Sequence, residues 1–130
     1  MKKNIYTILL LVTVMFIAGC GKYEEGPKIS FLSKTKRFCK EWKFTQVTFL
    51  ATGSDITSNY ANETWKFDDD GTFSRLYSGT VAVTGTWEFS GDVDMITNMS
   101  NIQTTIEILR LKNKELWLND GINEYRMEPN

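Results

Sequence analysis

Residues 65–73 read Trp-Lys-Phe-Asp-Asp-Asp-Gly-Thr-Phe, and the run continues through Ser74, Arg75, Leu76 and Tyr77. Trp65 and Phe67 lie two apart before an acidic segment closed by glycine, and Phe73, Arg75 and Tyr77 repeat that spacing after it. This period belongs to two half-buried strands joined by a tight turn. A lone hairpin is marginal in water, so one this aromatic requires further strands over its apolar face.

The rest of the chain supplies them. Trp42 and Phe44 lie two apart, while Val47, Phe49 and Ala51 take the opposite parity, so a bulge or bend is expected after Thr45. In 81–90, Val83, Gly85, Trp87 and Phe89 share a face, with Gly85 marking a sharp bend or a close approach of backbones. Short strands follow at 93–97, at 102–111 (alternating throughout), at 116–118 and at 122–127, separated by the turn residues of Ser90-Gly91-Asp92, the polar loop 98–101, Asn113-Lys114 and Asn119-Asp120-Gly121. Eight sequential antiparallel strands in about ninety residues can close into an up-and-down barrel, which removes exposed sheet edges. Before them, 29–39 predicts one or two helical turns capped by Ser30 or Ser33, placed to plug one end of the barrel. The fold class is therefore all-β, a small barrel of about eight strands with a short N-terminal helix. At this strand number the interior is filled by side chains or holds one small ligand, and 13% aromatic content argues against a wide cavity.

The 130 residues allow one domain, and the first nineteen are not expected to belong to it. Lys2 and Lys3 precede an apolar run over 5–17, with small Ala18 and Gly19 ahead of Cys20, which is the layout of an export signal and too short to span a membrane as a helix. Ile17-Ala18-Gly19-Cys20 resembles the lipobox of bacterial lipoproteins. That resemblance implies cleavage between Gly19 and Cys20, acylation of the Cys20 thiol and attachment to the outer membrane, where several acyl chains hold far more firmly than one. The domains expected are a signal peptide at 1–19, a lipidated tether at 20–28 and a barrel at 29–130. Fully extended, the eight residues 21–28 reach roughly 25 Å. Lys22, Glu24 and Glu25 resemble the charged segment that sends some lipoproteins of the Bacteroides group to the cell surface, and equally suit a soluble linker facing the periplasm.

The 15 basic side chains nearly balance the 16 acidic ones, and no basic run of five occurs, which argues against nucleic acid as a partner. Lys34, Lys36, Arg37 and Lys40 form the nearest thing to a patch and read as the solvated face of the short helix. With Cys20 acylated, Cys39 is the remaining thiol, so no internal disulfide is expected and Cys39 reads as a small buried hydrophobe. The chain has no histidine, which removes Ser-His-Asp and Cys-His catalysis and most zinc chemistry. Glu63, Glu88 and Glu107 could form an acid–base pair, but their spacing reads as exposed strand carboxylates. Asp68-Asp69-Asp70-Gly71 lacks the alternation and flanking helices of a calcium loop and carries the residues a tight turn needs. No enzyme activity, metal or cofactor is expected.

Trp42, the polar loop at 52–59, the 65–73 stretch, Gly85-Thr86-Trp87-Glu88-Phe89 and Leu116-Trp117-Leu118 together resemble the small lipocalin-like lipoproteins of the Bacteroides group, over nearly the whole mature chain. True lipocalins carry Gly-x-Trp at the first strand, where this chain has Lys40-Glu41-Trp42. The family's tryptophan is covered by an arginine, which implies Arg126, or else Arg110, over Trp42. The resemblance implies a binding domain for a small apolar molecule or a glycan. The alternative is a non-catalytic accessory subunit that contacts an envelope protein. Trp42, Trp65, Trp87 and Trp117 could stack on a ligand, although at least two should be core. Tyr60, Trp65 and Trp87 are the candidate ligand-binding residues, with 52–59 as the candidate functional loop.

Overall fold

The computed structural model describes Glu24–Glu25 and residues 33–130. The export signal, Cys20, most of the tether and residues 29–32 lie outside the described residues. The elements are β1 (Glu24–Glu25), α1 (Lys34–Phe38), β2 (Glu41–Phe49), β3 (Ser54–Asp55), a 3₁₀ turn (Thr57–Tyr60), β4 (Glu63–Phe67), β5 (Thr72–Tyr77), β6 (Thr80–Ser90), β7 (Asp94–Met99), β8 (Ile102–Leu111), β9 (Leu116–Asn119) and β10 (Asn123–Pro129). Eight of the strands form a closed antiparallel ring in the order β8-β7-β6-β5-β4-β2-β10-β9, with β9 returning to β8. The segment expected to be a free tether touches the ring, because Glu24 and Glu25 pair in parallel with Arg110 and Leu111.

Alternation puts the large side chains inside. Phe38, Trp42, Val47, Phe67, Phe73, Met95, Ile108, Leu111, Leu116, Leu118 and Met127 are almost wholly buried. Three single-residue bulges interrupt the alternation. The first is at Thr45, where Arg126 faces Gln46 but Met127 faces Phe44, and the Thr45 hydroxyl donates to the Arg126 carbonyl at 3.0 Å. The second is at Ala82, since Arg75 faces Val83 and Leu76 faces Val81. The third, at Leu109, breaks the uninterrupted alternation expected for 102–111 and turns Leu111 inward. Each extra residue flips the faces of those beyond it.

The base of the barrel is stoppered by α1. Ser33 caps it by accepting from the Lys36 amide at 3.2 Å. Phe38 packs against Phe67, Trp87 and Phe89 with ring centroids 4.3–5.1 Å apart, and its carbonyl accepts from Trp42 Nε1 at 2.9 Å. Of the basic residues expected to form a solvated face, Lys36 is exposed, and the other three are not. Arg37 is 5% exposed, Lys34 donates to the Asp92 carbonyl at 2.9 Å, and Lys40 donates to the Asn113 carbonyl at 2.8 Å. These residues fasten the helix to the turns around it. The 68–71 segment is a turn, with Gly71 at φ 88° and Asp70 accepting from the Thr72 amide at 2.9 Å. Trp87 ties it down, its indole donating to the Asp68 carbonyl at 2.8 Å and its amide to the Gly71 carbonyl at 2.9 Å.

Gly85 marks the close approach expected of it. A Cβ there would lie 2.2 Å from the Asn98 carbonyl oxygen and 2.7 Å from Met99 Cγ. Gly85→Ala should therefore destabilise the protein by about 1–3 kcal/mol, as overpacking does, and lower the melting temperature by roughly 4 °C or more. An unchanged calorimetric transition would contradict this packing.

Candidate functional site

β2 and β4 pair over only three residues, Glu41 to Lys43 against Lys66 to Thr64. Above this the strands part, and the long loop after β2 fills the gap. Far from being irregular, that loop is pinned to β2: the Ile56 amide donates to the Val47 carbonyl and the Val47 amide to Thr57 Oγ1, both at 2.9 Å. Asp55 fixes the following turn by accepting from the Thr57 hydroxyl and the Thr57 amide, and these hydrogen bonds hold its carboxyl below the usual range. Tyr60 is thereby set beside Phe44, with ring centroids 4.8 Å apart.

A groove of about 250 Å³ opens on the flank at this point, lined by Glu41, Phe44, Tyr60, Asn62, Glu63 and Asn130 among others. Glu41 is held by Thr64 Oγ1 and Asn130 Nδ2, each donating to it at 2.9 Å. Behind it, Glu63 accepts from Arg75 Nε at 2.9 Å and from Arg75 Nη2, and Arg75 Nη2 also meets the Tyr77 hydroxyl at 3.1 Å. Burial opposes the charge on Arg75, yet the Glu63 carboxylate holds its pKa above the ordinary value. The hydrogen bond to Glu63 likewise raises Tyr77. Glu63 is 3% exposed, which corrects the expectation of a solvated strand carboxylate, whereas Glu88 and Glu107 are exposed as expected.

Deeper in, Phe44 meets Trp65 edge-on at 5.1 Å, and Tyr125 lies 5.0 Å from Trp65 and 5.9 Å from Tyr60. The Tyr125 hydroxyl donates to Asp120 at 2.8 Å and accepts from Asn123 at 3.2 Å. Burial, assisted by Asp120, pushes its pKa well above the usual phenol range. Trp65 Nε1 and Asn123 Oδ1 are buried with no hydrogen-bond partner among the described residues. The upper third of the barrel thus holds aromatic faces interleaved with polar atoms, while the base is apolar.

Of the sequence candidates, Tyr60 and Trp65 lie in this one cluster. Trp87 stands at the opposite end against Phe38 and Phe89. Three of the four tryptophans, Trp42, Trp65 and Trp87, are core, and Trp117 lies on the outer wall. The arginine pairing expected at Trp42 is overturned, because Arg110 and Arg126 both stack on Trp117, at 4.0 and 4.1 Å. Register explains it, since both are directly opposite Trp117 on neighbouring strands and point outward with it. Trp42 has Lys40 over its ring at 5.3 Å instead. Glu41, Phe44, Glu63, Arg75, Asn123 and Tyr125 are the members of the cluster not singled out as ligand-binding residues. For Glu63 and Arg75 a signal was present in a charged residue on the inward parity of each strand of the hairpin.

A second cleft, of about 500 Å³, lies outside the barrel base between α1 and the 68–71 turn, with Cys39 in its wall. Cys39 is half-buried and packs against the core. Among the described residues no His, Cys, Asp and Glu cluster could hold a metal ion.

A closed eight-stranded up-and-down barrel with an aromatic, polar-studded upper end is the scaffold of a binding domain. The model of the lipocalin-like domain matches residues 38–118, and the chain belongs to that family. Among solved structures it is similar to a lipocalin-like protein from Bacteroides uniformis (14% identity, TM-score 0.61) and to an uncharacterized protein from Bacteroides eggerthii (12% identity, TM-score 0.61). Each likeness covers 72% of this chain and 99% of the other. No curated protein matches the chain.

Burial, followed by the charges of Asp69, Asp68 and Asp70, pushes the Cys39 thiol up to about 11 from 9.0. Only the thiolate is nucleophilic, so alkylation of Cys39 by iodoacetamide at pH 8 should run roughly a hundredfold slower than that of an ordinary thiol. The raised value also means that the folded state holds this proton more tightly. The thiol's contribution is therefore fully present below pH 9 and is lost as pH rises toward 11. Alkylation at the rate of a free cysteine would contradict the burial.

Proposed function

We propose that the protein is a binding module held at the outer membrane by lipid on Cys20, after cleavage between Gly19 and Cys20, which takes a small hydroxylated ring, such as one glycan residue, in the groove beside Tyr60. The observation that carries this reading is the groove itself, where the rings of Phe44 and Tyr60 meet the carboxylates of Glu41 and Glu63 in about 250 Å³. Aromatic faces suit the C–H faces of a sugar, and carboxylates accept from its hydroxyls. The volume lies below the roughly 300–1,000 Å³ of sites for drug-sized molecules. Side chains fill the lower interior, which weighs against a large apolar ligand. Family membership supports a binding role over catalysis.

The accessory-subunit reading rests on a different feature. Leu50, Tyr77, Val81, Ile102 and Ile122 are 40–69% exposed, and all stand at the barrel end opposite α1. Such a rim suits contact with an envelope protein.

Two experiments test the proposal. Radiolabelled palmitate should enter the wild-type chain and not Cys20→Ser; equal labelling overturns the anchor. Calorimetric titration of the lipidated chain in detergent with neutral saccharides and with a long-chain fatty acid should find saccharide binding that Tyr60→Ala weakens at least tenfold, about 1.4 kcal/mol. Binding of the fatty acid alone, or saccharide binding indifferent to Tyr60, would count against the groove.

A further inference from the structure

The chain leading toward Cys20 leaves the barrel from its outer wall. Glu24 pairs with Arg110 of β8, and Cys20 stands four positions before Glu24. Fully extended, four residues reach roughly 13 Å. A lipid on Cys20 therefore keeps the membrane surface close to this part of the wall.

One row of residues crosses the wall there. Arg110 faces Trp117 of β9, Trp117 faces Arg126 of β10, and Arg126 faces Gln46 of β2. Residues directly opposite one another point to the same side of a sheet, and this row points outward. Both guanidinium groups stack on the indole, and ion pairs of Arg110 with Glu115 at 3.3 Å and of Arg126 with Glu124 at 3.1 Å steady them there. Trp117 is the tryptophan that the core does not use, and it is half-buried. The turn between β8 and β9 adds Lys112 and Lys114, so residues 110–117 carry three basic side chains against one acidic, Glu115.

Such a row suits the headgroup layer of a bilayer, where an indole can place both an apolar ring and a wet N–H, and where cations meet phosphates. The opposite side of the ring does not suit it. β5 stands four strands from β9 in either direction, and the turn leading into it carries Asp68, Asp69 and Asp70, which anionic lipid repels. The groove beside Tyr60 opens between β2 and β4, on the flank between these two sides, and stays clear of the surface.

We propose that the wall formed by β8, β9 and β10 rests on the headgroup layer of the membrane, with Trp117 among the headgroups and Arg110 and Arg126 against their phosphates. This contact presupposes the lipid on Cys20 proposed for the binding module, and it sets which face of the barrel lies against the membrane.

Lipid brominated near the headgroup quenches indole fluorescence on contact. The full lipidated chain, in vesicles of phosphatidylethanolamine and phosphatidylglycerol, should emit less when those lipids are brominated than when they are not. Trp117→Phe should abolish the difference, since the other three tryptophans are core. Arg126→Glu, on a side chain 42% exposed, should cut it roughly twofold or more with circular dichroism unchanged. Flotation separates the wall contact from the anchor. Protein that fails to rise with the vesicles refutes both. Protein that rises with equal emission in the two lipids, or that is quenched equally with Trp117→Phe, refutes the wall contact and leaves the anchor standing.

Discussion

Closing eight strands into a ring fixes the width of the space inside, and everything else in this molecule accommodates that width. The interior accepts side chains only at inward positions, and a strict two-residue period would send some large apolar groups out and some polar groups in. Bulges at Thr45 and Leu109 reset the parity where the sequence demands it, while the one at Ala82 turns Val81 outward. The result is an apolar lower barrel sealed by Phe38 and Trp42, whose indole is anchored to the helix it packs beneath.

The upper barrel follows a different economy. Because β2 and β4 share so few pairs, the wall there is completed by side chains and by the 3₁₀ turn in place of main-chain hydrogen bonds. Those side chains are Phe44 and Tyr60 outside and Trp65 and Tyr125 within, with Glu63 and Arg75 neutralising each other at the rim. A wall of side chains can exchange contacts with a ligand in a way that a wall of backbone cannot. The same opening that weakens the ring locally therefore provides a place for recognition.

Much of this architecture is legible in the sequence, because alternation over Trp65, Phe67, Phe73 and Trp87 is a local signal that survives folding unchanged. The break after Thr45, the capping by Ser33 and the tight packing at Gly85 are legible for the same reason. What escapes is whatever depends on register between strands. Leu111 turns inward only because Leu109 bulges against β9, and Arg126 meets Trp117 and not Trp42 because of which residue stands opposite it. Glu63 and Arg75 are intermediate cases. Each sits on an inward parity, but that the two neutralise one another follows from the pairing of β4 with β5. The groove itself arises from strands that stop pairing, which no periodicity records.

The closing seam has a kinetic consequence. Thr45 on β2 and Arg126 on β10 meet although they lie 81 positions apart in the chain, so the ring shuts only after the longest loop in the domain has been closed. The entropic cost of that closure precedes any reward from the contact, which makes such topologies slow to fold. Until β10 docks, β2 and β9 each present an unpaired edge, and the half-built sheet remains an open, extensible chain. A polypeptide that assembles in this order stays unfolded longest where its two distant halves must find each other.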